Sequence, residues 1–145
     1  MKLPEQEVED VLATAQVLRI AMNGDDFPYC VPVCFGYRDR TIYIHAAPRT
    51  GKKDELLARD HRVCFECETG VEIRRGDNPC RWGMKFKSVI GIGDAMKVLD
   101  EPEKKRALSL ITEHYTGSGH EFTDEECRTV TIYKIQVLEA TGKAR

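Results

Sequence analysis

The sequence predicts a mainly β domain with short flanking helices, built as a small six-stranded barrel, closed or split, with mostly antiparallel strands. Three observations support this prediction. Apolar residues alternate with period two along most of the chain, and short polar turns join consecutive extended segments. Helical patterns interrupt the strands singly, without the repeated βαβ order of a doubly wound fold. At 145 residues the chain has the size of one domain, and we expect a single domain over residues 1–145.

Six segments read as strands. They lie at Val17–Met22, Tyr29–Tyr37, Thr41–Ala46, Arg62–Glu68, Lys85–Val98 and Thr129–Leu138. The tight connections between the first three predict an antiparallel meander. Pro32 inside the second segment calls for an edge, a bulge or an unpaired position, because proline has no N–H to donate. The polar stretch Thr69–Met84, which contains glycine and proline, is predicted to be a long loop.

Three amphipathic helices are predicted outside the strands. The first covers Pro4–Ala15 and places apolar residues at helical spacing on one face. The second is a turn or two that ends at Arg59. The third runs from a capping residue at Asp100 to a stop at Gly117. Such isolated helices would cover the barrel without forming a layer of their own.

The charge and hydropathy of the chain exclude several classes of protein. Lysine and arginine number 22 against 24 acidic residues, a net charge of −2, which is unlike the basic excess of a nucleic-acid binder. Apolar stretches break within about eight residues, well short of the roughly 20 that a membrane span needs. The first residues lack the apolar run of a signal peptide. We therefore expect a cytoplasmic protein with neither nucleic acid nor membrane as a partner.

The cysteines do not predict a metal site. They are Cys30, Cys34, Cys64, Cys67, Cys80 and Cys127. Cys64 and Cys67 have C-x-x-C spacing, but residues three apart on a strand face opposite sides. Cys30 and Cys34 would share a face at a separation of about 13 Å, too far for one metal. A grouping of His114, His120 and Cys127 has no second close pair to support it. In a reducing compartment we expect most of these cysteines to be small buried hydrophobic residues.

The segment with the clearest chemistry joins the third strand to the second helix. The strand ends in small residues at Ala46, and Arg49, Gly51, Lys52 and Lys53 lead into the helix. The amides at a helix N-terminus have no partners within the helix, and the helix dipole favours an anion there. Ammonium groups beside them would suit a phosphate. The alternative is a solvated turn, which spacing alone favours.

Five short motifs follow one another in an informative order. They are Leu18–Ala21, Tyr29–Val33, Ile42–His45, Gly51–Leu56 and Arg62–Glu66. Their order and spacing resemble the pyridoxamine 5′-phosphate oxidase-like superfamily. The block Cys80–Gly93, with its C-R-W and S-V-I-G-x-G motifs, is similar to the nitroimidazole-resistance branch of these FMN-binding split barrels. The likeness extends from about Glu5 to Lys143, nearly the whole chain.

The resemblance implies a six-stranded, homodimeric split barrel with two FMN sites at the subunit interface. The positions that match the family's cofactor-binding residues are Val31, Pro32, Val33, His45, Ala46, Gly51, Lys52, Lys53 and Ser88. Residues 51–53 match the segment that holds the FMN phosphate, and residues 31–33 match the strand along the flavin ring. His45 and Ala46 match the strand end beneath the ring, and Ser88 a position that can reach its polar edge.

The resemblance also implies an activity. We expect an FMN-dependent oxidoreductase that takes electrons from a reduced nicotinamide or another donor and reduces a small aromatic or nitroaromatic acceptor. His45 is the predicted catalytic residue, a proton donor, because imidazole groups titrate near neutral pH; a buried structural histidine is the alternative. True oxidases of the superfamily have serine-arginine-lysine where this chain has Gly51–Lys53. Their C-terminal arginine motif is also absent, which argues against oxidation of pyridoxamine phosphate.

Two other functions remain open from the sequence. One is a non-catalytic binder of FMN or of another planar cofactor such as haem. The other is a barrel without a cofactor that serves as a dimeric scaffold. Trp82, the sole tryptophan, is predicted to be a packing or interface anchor, with ring stacking as the alternative. Lys85 and Lys87 share a strand face that lies either in solvent or at the rim of the ligand site.

Overall fold

A computed structural model describes residues 1–48 and 51–145. The helices in these residues are α1 (Glu5–Thr14), α2 (Lys52–Arg59), α3 (Glu101–Thr116) and α4 (Asp124–Arg128), with a 3₁₀ turn at Pro79–Arg81. The strands are β1 (Leu18–Met22), β2 (Tyr29–Val33), β3 (Phe35–Arg38), β4 (Thr41–Ala46), β5 (Arg62–Arg74), β6 (Gly83–Lys97) and β7 (Thr131–Ala144). Among the described residues, no helix combines the length and the apolar character needed to cross a membrane.

One sheet contains all seven of these strands, in the order β2-β1-β5-β6-β7-β4-β3. Every neighbouring pair is antiparallel. The two outermost strands, β2 and β3, are consecutive in the chain and only Cys34 separates them. One residue spans no more than about 3.6 Å, so the two edges of the sheet must meet. The sheet therefore curls into a split barrel, which confirms the predicted architecture.

The predicted count of six strands is wrong, because Tyr29–Tyr37 forms two strands. β2 pairs with β1 at one end of the sheet, and β3 pairs with β4 at the other. The chain changes its pairing partner at Cys34, and the consecutive antiparallel pairing that the predicted meander requires is present in β1–β2 and β3–β4. Pro32 lies in an edge strand, as predicted, opposite Arg19 of β1. At an edge its missing N–H can face away from the ladder.

The predicted loop at Thr69–Met84 is mostly strand. β5 continues to Arg74 and β6 begins at Gly83, and the two strands stay paired to that end after an irregularity in the register between Thr69 and Glu72. Side chains on both faces of this extension are exposed, so the sequence lacks the alternation that marks a half-buried strand. We call residues 71–87 the β5–β6 arm. β7 likewise runs beyond Leu138 and pairs with β6 as far as Ala144.

The core fills the barrel and extends under helices on its outside. The largest fully buried side chains of the main cluster are Leu12, Leu18, Ile20, Phe35, Ile42, Ile44, Phe65 and Ile135. Tyr29, Val31 and Val33 pack against this cluster from β2, as the period-two pattern predicts. A second cluster lies under α3 and α4 and includes Leu108, Ile111 and Ile132. The core thus holds the curved sheet from inside and from one flank.

Helix α3 supports the sheet where β3 begins. Its ends match the prediction, since Asp100 caps the first turn and Gly117 ends the helix at a φ of 81°. A Cβ atom on Gly36 of β3 would lie 2.9 Å from the backbone nitrogen of Ile111, so glycine is what lets α3 approach this strand. The hydroxyl of Tyr115 accepts a hydrogen bond from the backbone N–H of Phe35 at 3.0 Å. α3 therefore anchors the chain directly after the Cys34 junction.

The cysteines follow the predictions only in part. Cys64 is exposed and Cys67 is buried, so the two side chains do face opposite sides of β5. The expectation that most cysteines are buried is wrong, because the exposed ones are Cys30, Cys34, Cys64 and Cys80. Cys30 and Cys64 occupy the outward positions that alternate with core-facing residues on β2 and β5. Only Cys67 and Cys127 act as small buried hydrophobic residues.

Candidate functional site

An open pocket of about 450 Å³ lies where β2, the end of β4 and the start of α2 meet. Its lining residues are Tyr29, Val31, Pro32, Val33, Cys34, His45, Ala46, Ala47, Gly51, Lys52, Lys53 and Asp54. Eight of the nine predicted cofactor positions are among them. The volume is in the range of roughly 300–1,000 Å³ that small-molecule sites occupy. The structure therefore brings together residues that the sequence places in three separate segments.

Closure of the barrel is what forms this pocket. β2 and β4 are far apart in the sheet, with β1, β5, β6 and β7 between them. They meet because β2 continues through Cys34 into β3, and β3 pairs with β4, with Phe35 opposite Ile44. One wall of the pocket thus comes from each edge of the sheet. An open sheet with the same strand pairs would have no such site.

The strand side of the pocket is mainly apolar. Val31 and Val33 are half-buried, and Ala46 at the end of β4 is only 8% exposed. Small and branched apolar side chains leave a surface on which a flat ring can lie close to the backbone. His45 differs from its neighbours because its side chain is exposed at the pocket. In the single chain His45 is therefore not a buried core histidine.

The helix side of the pocket is basic. The Lys52 ammonium lies 4.9 Å from the centre of the Tyr29 ring, a cation–π distance. Lys53 is half-buried, and burial lowers the pKa of its ammonium, an effect that the neighbouring Asp54 opposes. An anion beside Lys53 would compensate for the cost of burying this charge. The first amides of α2 add further donors, since they have no acceptor within the helix.

Asp54 holds the start of α2 against the barrel. Its Oδ2 accepts a hydrogen bond from the backbone N–H of Gly51 at 3.0 Å, and its Oδ1 accepts one from the hydroxyl of Tyr133 on β7. Burial of the carboxylate opposes ionisation, but these two hydrogen bonds, together with the charges of Lys53 and Lys97, outweigh it and lower the pKa of Asp54. Burial and the carboxylate together raise the pKa of the Tyr133 hydroxyl. Both carboxylate oxygens are therefore engaged in positioning Gly51.

Ser88 is the one predicted cofactor position that does not line the pocket. It is half-buried on β6, opposite Glu68 of β5 and Lys143 of β7. Its contact with a cofactor bound here would require a second copy of the chain and stays a prediction. Arg49 lies outside the described residues, so its part in a phosphate site also stays a prediction.

The other residues left open by the sequence lie on the β5–β6 arm. Trp82 is 48% exposed, so it is not a core anchor of the single chain. Lys85 and Lys87 are exposed, and Lys87 forms an ion pair with Glu7 at 2.7 Å. Their shared face therefore lies in solvent in the single chain, away from the pocket.

Four lining residues are not among the nine predicted positions, namely Tyr29, Cys34, Ala47 and Asp54. Tyr29 shares the period-two face of Val31 and Val33, so the same pattern could have identified it. Cys34 lines the pocket only because it joins the two edges of the sheet, and nothing in the local sequence indicates that. Asp54 lies in the first turn of α2, where acidic residues are common for reasons unrelated to a ligand.

A larger cavity lies elsewhere in the chain. It measures about 620 Å³ and is lined by parts of the N-terminal segment, α1 and β7. None of the nine predicted positions lines it, and its charged lining residues are two acids, Glu5 and Glu9, and two bases, Lys2 and Arg40. These charges balance, so the cavity lacks the basic end that a phosphate group requires. The smaller pocket is therefore the better candidate for the predicted cofactor.

Comparison with known proteins decides the family. The sequence profile described as pyridoxamine 5′-phosphate oxidase matches residues 4–144. The chain belongs to this family. The resemblance seen in the sequence motifs is thereby confirmed over nearly the whole chain. No curated protein sequence shows a significant match.

Several solved structures share the fold. A candidate 5-nitroimidazole antibiotic resistance protein from Bacteroides thetaiotaomicron is 29% identical, with a TM-score of 0.86 over 99% of this chain and 86% of that one. A FAD-binding protein from Mesorhizobium loti is 23% identical, with a TM-score of 0.73 over 100% and 97% of the two chains. A FAD- and haem-binding protein from Mycobacterium smegmatis is 15% identical, with a TM-score of 0.81 over 97% and 71%. The last two similarities concern the fold alone.

Replacing Tyr133 with phenylalanine should destabilise the start of α2. The half-buried Asp54 carboxylate would lose a hydrogen-bond donor, so we expect the free energy of unfolding at neutral pH to fall by about 1–3 kcal/mol. Because the folded-state pKa of Asp54 is lowered, its stabilising effect is present above the usual carboxyl pKa and disappears as the pH falls through the folded value. The difference between the two proteins should therefore shrink as the pH falls below the usual carboxyl pKa.

Urea denaturation of both proteins across this pH range measures the effect. Tyr43→Phe is the matched control, since the Tyr43 hydroxyl has only a long contact of 3.5 Å with Glu103. A Tyr133→Phe difference that stays constant with pH would show that the hydroxyl does not act through the Asp54 carboxylate.

Proposed function

We propose that the pocket binds FMN and that the protein is an FMN-dependent oxidoreductase acting on a small aromatic or nitroaromatic acceptor. The observation that carries the proposal is the arrangement of one pocket, with an apolar strand surface at one side and a half-buried lysine at a helix N-terminus at the other. Family membership and the similarity to a candidate nitroimidazole resistance protein support the same function.

The residues of the pocket fit the two ends of FMN. The apolar surface at Val31, Val33 and Ala46 suits a flat, largely apolar ring. The basic end at Lys52 and Lys53 suits a terminal phosphate, for which a charged and partly desolvated lysine is a strong partner. Two of the similar structures are of FAD-binding proteins, so FAD is the main competitor for this site. FMN is favoured over FAD because FMN ends in a phosphate, whose full charge would lie beside the lysines.

The division of chemistry follows from this arrangement. A flavin, when bound, supplies the redox chemistry, and the protein supplies binding, orientation and electrostatics. Val31, Pro32 and Val33 would orient the ring and shield one of its faces. His45 is exposed at the pocket and can exchange a proton with solvent or with a bound acceptor at an imidazole nitrogen. The presence of Gly51 and the lysines in place of serine-arginine-lysine supports an activity other than oxidation of pyridoxamine phosphate.

A non-catalytic binder of FMN or of another planar cofactor such as haem is the second candidate function. The specific observation in its favour is the exposed imidazole of His45 beside an apolar surface, because imidazole is the commonest protein ligand of haem iron. One protein of the same fold, from Mycobacterium smegmatis, is described as binding both FAD and haem. The two candidates differ in whether an electron donor reduces the bound cofactor.

We also propose that the protein is a homodimer with the cofactor pockets at the interface. The pocket is open, so a ring lying on β2 would expose its other face to water without a second subunit. The outer face of the sheet carries an exposed apolar patch that consists of Cys64, Ile90, Ile92 and Leu138. Ile92 lies opposite Cys64 in the β5–β6 register, near the middle of the sheet. Exposed apolar patches of this kind are typical of protein interfaces.

Replacing Ile92 with aspartate should dissociate the dimer. A carboxylate in the middle of an apolar interface would be buried without a partner, which disfavours association. We expect sedimentation to give twice the chain mass of 16.5 kDa for the wild type and the single-chain mass for the variant, with weaker FMN binding in the variant. Leu99→Asp is the control, since Leu99 is 86% exposed away from the patch. A monomeric wild type that still binds FMN stoichiometrically would contradict the proposal.

Replacing Lys52 and Lys53 together with alanine should weaken FMN binding through the phosphate. We expect a loss of about 2–4 kcal/mol, the scale of lost charge-assisted hydrogen bonds, and no comparable loss for riboflavin. Quenching of flavin fluorescence measures both affinities, with FAD as a third ligand. The matched control replaces Lys104 and Lys105 with alanine, another adjacent pair early in a helix. Equal affinity of the wild type for riboflavin and FMN would refute a phosphate site at these lysines.

Replacing His45 with alanine should leave FMN bound but slow turnover. Loss of a positioned proton donor costs about 10²–10⁴-fold in rate, or less where water substitutes. We expect this loss in the NADH- or NADPH-dependent reduction of a nitroimidazole. His120→Ala is the control, since His120 is exposed and lies outside the pocket lining.

Two results would count against the catalytic role. Unchanged turnover in His45→Ala, with only a lower melting temperature, would make His45 structural. If no electron donor bleaches the flavin absorbance between about 350 and 550 nm, the result would favour the non-catalytic binder.

A further inference from the structure

A second basic pocket lies at the tip of the β5–β6 arm. It measures about 560 Å³ and is lined by Arg74, Arg75, Arg81, Gly83, Met84 and Arg145. Four of these six residues are arginines, in a chain whose net charge is −2. The arginines come from three places, namely the end of β5, the 3₁₀ turn and the residue that follows β7. We call this feature the arginine pocket.

The positive charge of the arginine pocket is largely uncompensated. Arg81 has one carboxylate partner, Asp77, at 3.6 Å, and the Asp77 side chain is 93% exposed. Within residues 1–48 and 51–145, no carboxylate forms an ion pair with Arg74, Arg75 or Arg145. Arginines that line one pocket with a single carboxylate partner repel one another, and a multivalent anion would reduce that repulsion.

Backbone hydrogen bonds hold the arginines in place. Arg74 pairs with Gly83 in the β5–β6 register. Arg145 exchanges two backbone hydrogen bonds with Phe86, at 2.9 and 3.3 Å. A Cβ atom on Gly76 would lie 2.5 Å from the Cβ of Arg81, so glycine allows the tight turn that brings Arg81 back towards the strands. The backbone of the arginine pocket is thus preformed without a ligand.

A tryptophan contacts one of the arginines of this pocket, although it is not a lining residue itself. The Arg75 guanidinium lies 5.3 Å from the centre of the Trp82 ring, and the indole N–H donates to the carbonyl of Gly76 at 3.1 Å. The ring is nevertheless 48% exposed. An exposed indole held beside arginines offers a stacking surface for a nucleotide base.

The arginine pocket is separate from the candidate cofactor pocket of the same chain. The arginine pocket lies at Gly83, the first residue of β6. The cofactor pocket lies near the other end of β6, because Lys97 there pairs with Tyr133, which is hydrogen-bonded to Asp54. At about 3.3 Å per residue, the two ends of this strand are more than roughly 40 Å apart along its length. A single flavin bound at Lys52 and Lys53 therefore cannot also occupy the arginine pocket of its own chain.

We propose that the arginine pocket binds a ligand that contains a diphosphate group, such as a nucleoside diphosphate or a dinucleotide. Arginine guanidinium groups bind phosphate oxygens in bidentate pairs, and four of them from three segments can contact more than one phosphate. The volume admits more than a single phosphate, and Trp82 provides the surface for a base. The proposal does not depend on flavin binding in the other pocket.

Titration of the purified protein with inorganic pyrophosphate tests the proposal. Trp82 is the only tryptophan, so its fluorescence reports on this pocket, and calorimetry measures the same binding independently. We expect pyrophosphate to bind at least about tenfold more tightly than orthophosphate, with affinity falling as salt is added. ADP should bind more tightly than pyrophosphate if a base stacks on the indole. Equal affinity for orthophosphate and pyrophosphate would overturn the diphosphate assignment.

Substitution of Arg74 and Arg81 with glutamine locates the site. This pair leaves Arg75 beside Trp82, so the fluorescent reporter keeps its neighbour. We expect the pyrophosphate affinity to fall by about tenfold or more, while Arg106→Gln, an exposed arginine on α3, leaves it unchanged. Unchanged affinity in the double variant, or an equal loss in the Arg106 control, would overturn the proposal. Circular dichroism shows whether each variant is folded.

Two further titrations separate the sources of the diphosphate and the two pockets. If the diphosphate that binds here belongs to FAD or NADPH, that compound should compete with pyrophosphate in the wild type. FMN has one phosphate and should compete no better than orthophosphate. FMN binding in the other pocket is followed by visible flavin absorbance, which the Arg74 and Arg81 substitutions should not alter. If the protein binds pyrophosphate but does not bind FMN, the proposed cofactor is refuted and the assignment of the arginine pocket remains.

Discussion

The passage from β2 to β3 through the single residue Cys34 is the constraint on which the rest of this structure depends. These two strands are the opposite edges of one sheet, and one residue cannot bridge them unless the edges meet. The sheet must therefore curve around its core, and β2 must lie beside the end of β4. Gly36 and Tyr115 support the junction by letting α3 approach and by pairing the Phe35 amide. The candidate cofactor pocket is a direct product of this closure.

The electrostatics of the pocket depend on how α2 is mounted on the barrel. Asp54 bonds back to Gly51 and across to Tyr133 of β7, so the helix start is tied to the sheet by an internal carboxylate. Lys53 beside it is half-buried, and burial lowers the pKa of its ammonium although Asp54 opposes the shift. An anion beside a half-buried ammonium offsets the cost of burying its charge. This arrangement is the one on which the proposed phosphate site depends.

The two basic regions of the molecule differ in construction. The pocket at Lys52 and Lys53 combines one helix start with an apolar wall, which suits a ligand with a flat ring and one phosphate. The arginine pocket has four guanidinium groups and an exposed indole, which suits a ligand with two phosphates and a base. They lie at opposite ends of β6, the longest strand described. The β5–β6 arm, which carries the second site, was expected to be a loop and is a paired extension beyond the barrel.

The sequence by itself determined the fold family, the antiparallel barrel, the caps of α3 and eight of the nine predicted positions that line the pocket. Period-two alternation, Asp100 and Gly117 are local signals that act without reference to distant residues, whereas the pocket positions came from the resemblance to a known family. Only the tertiary structure decided the division at Cys34, the strand nature of the arm, the exposure of four cysteines and the place of Ser88 outside the pocket. The alternation from Tyr29 to Tyr37 is the same whether this segment pairs with one strand along its whole length or changes its pairing strand part-way. Pairing partners are chosen by residues far away in the chain, so no local pattern records them.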